Sequence, residues 1–413
     1  MYTVQLIRPS YADRFHCIGA ECEDTCCEGW KIPVDEDSFG KYASLPEGPL
    51  RASIHAVLER TPAAAAESGS LRYAAFKILP SGSCPMFNKD RLCRIHAELG
   101  PDYLSRLCHD FPRAPHRIDG LEEQPLSLSC PEAARLVLLS ESLLAPSAGP
   151  GYTQSWDDTK PGSDPLRNYF WAIRDFTVRL IVRRDYPLWH RLFLLGTFSR
   201  RLDAIARGES APSVLNFIRD FGAALDRGKL NAAMESIRPD LESQLEMVLR
   251  LAGLNKTGDV APRLAELVAA FARGIGYSRG ARRANLIARY QSSYRTVYKP
   301  FFDRHPHMLE NYLLNQVFGC LFPFGLSLSH PAAIPECAEA FAVLALQFAM
   351  LKGMLIGVAG FYADRFSPDH VVTAVQILSR QFDHNPRFLA DATTLLHQGN
   401  MNNAAGLAML LQN

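Results

Sequence analysis

The sequence predicts a mainly α-helical protein: a cysteine-rich, metal-binding head of helices and loops, followed by an all-helical bundle. Three observations predict it. Eight of the ten cysteines fall before residue 131. Beyond Pro165, apolar residues recur at three- and four-residue intervals, the period of a helix with one buried face. No stretch alternates strand and helix, repeats as a solenoid does, or carries a glycine-rich phosphate loop.

The bulk numbers set the frame. At 413 residues the chain exceeds the usual size of one hydrophobic core, so more than one domain is expected. An apolar share of 47% with 21% charged residues is ordinary for a soluble protein. Lysine and arginine total 44 against 43 acidic residues, a net charge of +1. That balance gives a nucleic-acid partner no electrostatic footing, and none is expected. The opening "MYTVQLIRPSYADRFHC" lacks a basic start followed by an apolar run, so no secretion signal is expected. The expected compartment is the cytoplasm, where thiols stay reduced.

The first expected domain, residues 1–145, is the cysteine-rich head, with a small loop at "TPAAAAESGS", Thr61 to Ser70. Residues 146–165, within "APSAGPGYTQSWDDTKPGSDP", read as a linker or long loop, dense in turn formers and without apolar period. Residues 166–413 form the helical domain. "LRNYFWAIRDFTVRLIVRR" opens it, and "YPLWHRLFLLGTFSRRLDAIARG" follows and stops at glycine, as helices often do. "PSVLNFIRDFGAALDRG", "LESQLEMVLRLAG", "PRLAELVAAFARG", "MLENYLLNQVFGCLF" and "PDHVVTAVQILSRQFDH" continue the pattern. One segment, Phe341 to Phe361, is long enough to span a bilayer. Gln347 and Lys352 inside it favour a buried core helix or a partner surface, and membrane association stays open. The sequence sets no oligomeric state.

The chemistry sits in the head. Close-spaced thiolates give a metal a rigid half-site, which distant ones close from other segments. "CIGAECEDTCC" supplies Cys17, Cys22, Cys26 and Cys27; Cys84, Cys93, Cys108 and Cys130 follow. Adjacent side chains diverge on a strand or a helix, so Cys26 and Cys27 have different jobs, or only one is a ligand. Four thiolates suit a tetrahedral zinc or an iron–sulfur cluster, and eight suffice for two centres. His16, His96, His109 and His116 lie nearby and are expected at the surface. Cys320 and Cys337 sit in apolar helical runs, where a free cysteine is a small hydrophobe.

"CIGAECEDTCCEGWKIPVDEDSFGKY", "CPMFNKDRLCRIHAELGPDYLSRLCHDFPR" and "LSLSCPEAARL" resemble the flagellin lysine-N-methylase family. That family lies within a wider group of cysteine-cluster proteins described as zinc- or iron-chelating. "YPLWHRLFLLGTF", "MLENYLLNQVFGCLFPFG" and "ILSRQFDHNPRFL" extend the resemblance through the helical part. It implies transfer of a methyl group from S-adenosylmethionine to lysine ε-amines of a protein, flagellin in the namesake case. It also implies an iron–sulfur cluster of the four-iron type on the cysteine motif, zinc being the alternative. The residues carried over are Cys17, Cys22, Cys26, Cys27, Cys84, Cys93, Cys108 and Cys130. His96 and His109 depart from the family pattern and are not carried over.

No stretch marks an S-adenosylmethionine pocket. The catalytic candidates are polar residues inside an apolar pattern: Asn311 and Asn315, four apart on one helix face, with Glu310 beside them. Arg380, Asp383, His384 and Asn385 form a second polar knot, and Tyr294, Tyr298 and Tyr312 are candidates for an aromatic slot around a lysine chain. Helix linking and core packing are the competing explanations for each. Two other functions fit the same residues: a non-catalytic zinc- or iron-binding adaptor, and an iron–sulfur redox protein.

Overall fold

The computed structural model describes residues 7–9, 11–29, 31–62, 72–118, 121–146, 166–208, 213–254, 261–325, 336–384, 394 and 404–412. The expected linker, apart from Pro146, lies outside the described residues, as do most of the Thr61–Ser70 loop and Asn385. Two compact units emerge. One is Phe15–Ala114 with Cys130–Ala133; the other is Met1–Arg14, Pro115–Ser129 and Ala134–Asn413. This differs from a contiguous head of 1–145. Three stretches of the expected head, Met1–Arg14, Pro115–Ser129 and residues 134–145, group with the helical body.

The Phe15–Ala114 unit holds all eight N-terminal cysteines. Its expected helices and loops are joined by a small antiparallel sheet of Pro33–Val34, Ala74–Phe76 and Leu58–Arg60, with Ala74–Phe76 in the middle. Strands of two or three residues leave no alternation long enough to read, which is why the sequence does not announce them. Asp35 starts the Glu36–Ala43 helix by accepting from the Ser38 N–H at 2.9 Å. The sheet and helices bury Ile32, Val34, Tyr42, Ile54, Phe76, Met86 and Ile95 around Cys84.

The helical unit is built around Cys337–Tyr362, a 26-residue helix. It is the one described helix long and apolar enough to cross a membrane, yet 89% of its most apolar window is buried inside the protein. A helix apolar on every side needs neighbours on every side. Leu188–Ala206, Leu241–Leu254, Pro262–Gly274, Arg283–Ser293, Pro368–His384 and Ala404–Leu411 supply them. Glycine sets the closest approach. A Cβ added at Gly274 would collide with the Gly357 carbonyl, and one at Gly357 with the Phe271 ring. Two small antiparallel pairs complete the unit, Ile7–Pro9 with Leu144–Pro146 and His116–Ile118 with Leu121–Glu123.

Gly357→Val is expected to lower stability by about 1–3 kcal/mol through overpacking. Gly319→Ala, where an added Cβ meets nothing within 4 Å, should be neutral or stabilising by up to about 1 kcal/mol. Urea unfolding of both variants checks the contrast.

Candidate functional site

All ten cysteines are free thiols. In the Phe15–Ala114 unit, Cys84 is buried in the core with Cys27, Cys93 and Cys108 packed against it. Cys130 is also buried, Cys22 half-buried, and Cys17 and Cys26 exposed. Burial pushes the Cys84, Cys108 and Cys130 thiols up to about 12 and raises Cys22 and Cys93 as well. Cys26 donates to its neighbour, so Cys27 ionises below the ordinary thiol value and Cys26 above it. Among the described residues, no group of three or more His, Cys, Asp or Glu side chains stands close enough to hold a metal ion. The expected convergence of the N-terminal thiolates on a shared metal centre, iron–sulfur or zinc, is not found among the described residues. The thiols share a core rather than a point, because apolar packing spaces the segments that carry them. His116 is buried rather than at the surface: its Nε2 donates to the Gly319 carbonyl at 3.1 Å, and burial pushes it down to about 4.

The Pro306–Gly319 helix places Glu310, Asn311 and Asn315 in the interior of the helical unit. Glu310 receives Arg184 through Nε at 3.0 Å and Nη2 at 2.8 Å, and Arg191 through Nη1 at 2.8 Å. Asn311 donates to the carbonyls of Val137 at 2.9 Å and Ser140 at 2.7 Å. Asn315 donates to the Leu126 carbonyl at 2.8 Å, while its oxygen accepts from the Leu126 N–H at 3.3 Å and the Tyr11 hydroxyl at 2.5 Å. The three expected candidates do lie together, and their polar atoms tether the chain segments around them. Sequence reasoning missed the two arginines. The signal was available: Arg191 in "YPLWHRLFLL" falls on an otherwise apolar helix face.

A second polar feature lies on the central helix. Lys352 is buried, donates to the Leu411 carbonyl at 2.5 Å and stands 5.9 Å from the Tyr294 ring centroid. Burial pushes its ammonium down to about 7. Tyr294 and Tyr298 begin and end a single π-helical turn and stack at 5.6 Å; such turns recur at functional sites. Tyr312 is buried in the Pro306–Gly319 helix. The lysine that Tyr294 faces is therefore the chain's own. Elsewhere, a cavity of about 420 Å³ is lined by Arg200, Arg201, Asp203, Arg207 and Glu336 among others. Asp203 accepts from the N–H groups of Cys337 and Ala338 at 2.7 and 2.9 Å, and Arg207 pairs with Glu336 at 2.8 Å.

The helical unit is also where the chain resembles known proteins. The profile of the FliB lysine N-methylase C-terminal domain matches residues 174–410. The chain belongs to the FliB lysine N-methylase family. A lysine-N-methylase of Salmonella typhimurium is 29% identical over 261 residues, which is 61% of each chain. The chain thus spans about three fifths of that relative's length. A flagellar biosynthetic protein FliU of Salmonella muenchen is 32% identical over 147 residues, 35% of this chain and 83% of the relative. No solved structure matches. Glu310, Asn311, Asn315 and Lys352 all lie inside the stretch matched by the FliB profile.

Two outcomes follow from these geometries. Glu310→Gln removes the charge facing buried Arg191 and is expected to cost about 3–5 kcal/mol; Arg184→Ala, at the exposed end of the same cluster, should cost less, as urea unfolding will show. Lys352 has a folded value near 7 and an unfolded value near ~10.4. Between those values the unfolded chain binds the extra proton, so stability rises with pH across that window and is flat below it. Lys352→Met should abolish that rise, a difference on the order of a few kcal/mol in pH-dependent unfolding curves.

Proposed function

We propose that this chain is an S-adenosylmethionine-dependent protein lysine N-methyltransferase that acts on flagellin in the cytoplasm and uses an iron–sulfur cluster held by its N-terminal cysteines. The observation that supports it most is the FliB profile running through the helical unit from residue 174 to 410. The names of the relatives agree with it: one is a lysine-N-methylase and another a flagellar biosynthetic protein.

The chemistry sets one demand above others. Only a neutral amine has the lone pair that attacks the methyl carbon, and a free lysine near ~10.4 is almost wholly charged at pH 7. Desolvation is the direct remedy, and alignment of amine with methyl carbon supplies much of the remaining rate. The helical unit desolvates a lysine in this way at Lys352, held near 7 by burial alone. Glu310, Asn311 and Asn315 act in this reading as positioning residues, since their polar atoms hold the surrounding segments.

The fit of a cluster depends on the donor set. A single zinc draws four sulfurs to about 2.3 Å from one point, and no such group occurs among the described residues. A four-iron cluster takes one thiolate at each iron, so its ligands surround a cage and need not meet. Cys27, Cys84, Cys93 and Cys108 share one apolar core, and this reading draws its donors from the N-terminal cysteines. When bound, such a cluster supplies a redox-active metal centre and cross-links the segments that ligate it.

Incubation of the anaerobically isolated protein with S-adenosylmethionine and flagellin should add lysine mass in steps of one methyl group, read by peptide mass spectrometry. Flagellin left unmodified by folded protein that contains iron and sulfide would overturn the methylase reading.

A further inference from the structure

The cavity of about 420 Å³ in the helical unit is lined mainly by the end of the Leu188–Ala206 helix. Arg200, Ala204 and Arg207 recur there at four- and three-residue spacing, so they share one stripe of that helix and its C-terminal cap, with Arg201 beside them. Ala204 is the small residue between the two arginines of the stripe, and its lack of bulk keeps the space between them open. The start of the Cys337–Tyr362 helix supplies the rest of the wall through Glu336 and Ala338.

Three guanidiniums and two carboxylates line this space, and both carboxylates are already engaged. Asp203 is buried, and its two oxygens accept from the Cys337 and Ala338 N–H groups at 2.7 and 2.9 Å. Those bonds occupy the first donors of the central helix, so the donors left to a ligand are the guanidiniums. Glu336 pairs with Arg207 at 2.8 Å. Arg200 and Arg201 are exposed, and neither has a hydrogen bond or ion pair among the described residues. In the same unit Arg183, Arg184 and Arg191 each end on a carboxylate. Two positive charges are thus left uncompensated at one concavity.

We propose that this cavity is a binding site for the phosphate group of a small molecule, held by Arg200 and Arg201 with Arg207 at its edge. Guanidinium forks match the oxygens of carboxylates and phosphates alike. One fork satisfies a carboxylate, whereas a phosphate has oxygens enough for two and carries about −1.5 to −2 charge near neutral pH. Two free guanidiniums therefore fit the phosphate better. The volume lies within the ~300–1,000 Å³ of small-molecule sites, which leaves room for more than the phosphate itself. S-adenosylmethionine is a poor match, because its sulfonium and ammonium outweigh its one carboxylate and a net cation is repelled by a basic wall. The site is therefore independent of the methylase reading and takes a different ligand.

Inorganic phosphate is titrated calorimetrically into the full chain at constant ionic strength, with chloride replacing phosphate in the blank. Wild type should bind it saturably. Arg200→Ala and Arg201→Ala should each weaken binding by about tenfold or more, the worth of a charge-assisted hydrogen bond. Glu336→Gln removes a carboxylate from the wall and frees Arg207, so it should tighten binding several-fold, which a damaged fold would not do. Glu336 makes no side-chain cap bond to the central helix, so this change leaves the helix start intact. Arg219→Ala removes an exposed arginine paired with Asp220 at 3.0 Å on another helix and should match wild type. No saturable binding by wild type, an equal loss in Arg219→Ala, or displacement of phosphate by S-adenosylmethionine overturns the proposal. Succinate bound as tightly as phosphate at the same arginines also overturns it, since a carboxylate would then be the ligand.

Discussion

The helical unit depends on burying Cys337–Tyr362 along its whole circumference. Its apolar residues face every direction, so no side of it can be left to water. That demand fixes the architecture: one long axial helix with shorter helices laid around it. Burial of this kind is non-directional and would permit many arrangements. The glycines narrow the choice. Where Gly274 meets Gly357, backbone approaches backbone, and only the register that aligns them avoids a collision.

Directional bonds do the rest. The Pro306–Gly319 helix is buried from Met308 to Phe318 and includes Glu310, Asn311, Asn315 and Gln316 among its interior residues. Buried amides left unpaired would each cost on the order of 1–3 kcal/mol. Instead, Asn311 and Asn315 satisfy the carbonyls of Leu126, Val137 and Ser140 and so draw the chain around Pro115–Ser140 onto the body. Arg174 does the same through Glu123 at 3.1 Å, a buried pair beside the Val317 carbonyl, to which it also donates. These bonds are the physical reason that part of the expected head belongs with the helices.

What could be read in the sequence follows from which forces leave a local trace. Amphipathic period and terminal glycine do, so Leu188–Ala206 and its stop near Gly208, at φ +74°, are legible from "HRLFLLGTFSRRLDAIARG". The polar cluster at Glu310, Asn311 and Asn315 is legible as an oddity inside an apolar run, though not its partners, which lie more than 100 residues away. Short strands such as Pro33–Val34 leave no period at all. Cysteine spacing is legible but misleading about distance. Cys22, Cys26 and Cys27 lie within six residues of the chain, yet Cys27 packs on the same core as Cys84, Cys93 and Cys108, each more than fifty residues on.

The cysteine unit poses the harder energetic question. Its described core is a single cluster of apolar side chains under strands of two or three residues, and small cores supply little surplus stability. Thiols are costly material for such a core when ionised: burial holds Cys84 and Cys108 protonated up to about 12. A metal centre reverses that balance, because it takes the thiolate and repays its burial with a metal–sulfur bond. A metal that cross-linked stretches as far apart as Cys27 and Cys108 would close loops of up to about eighty residues, and loop closure of that length stabilises mainly by restricting the unfolded chain. On this view folding of the unit and the loading of any metal there would be one event.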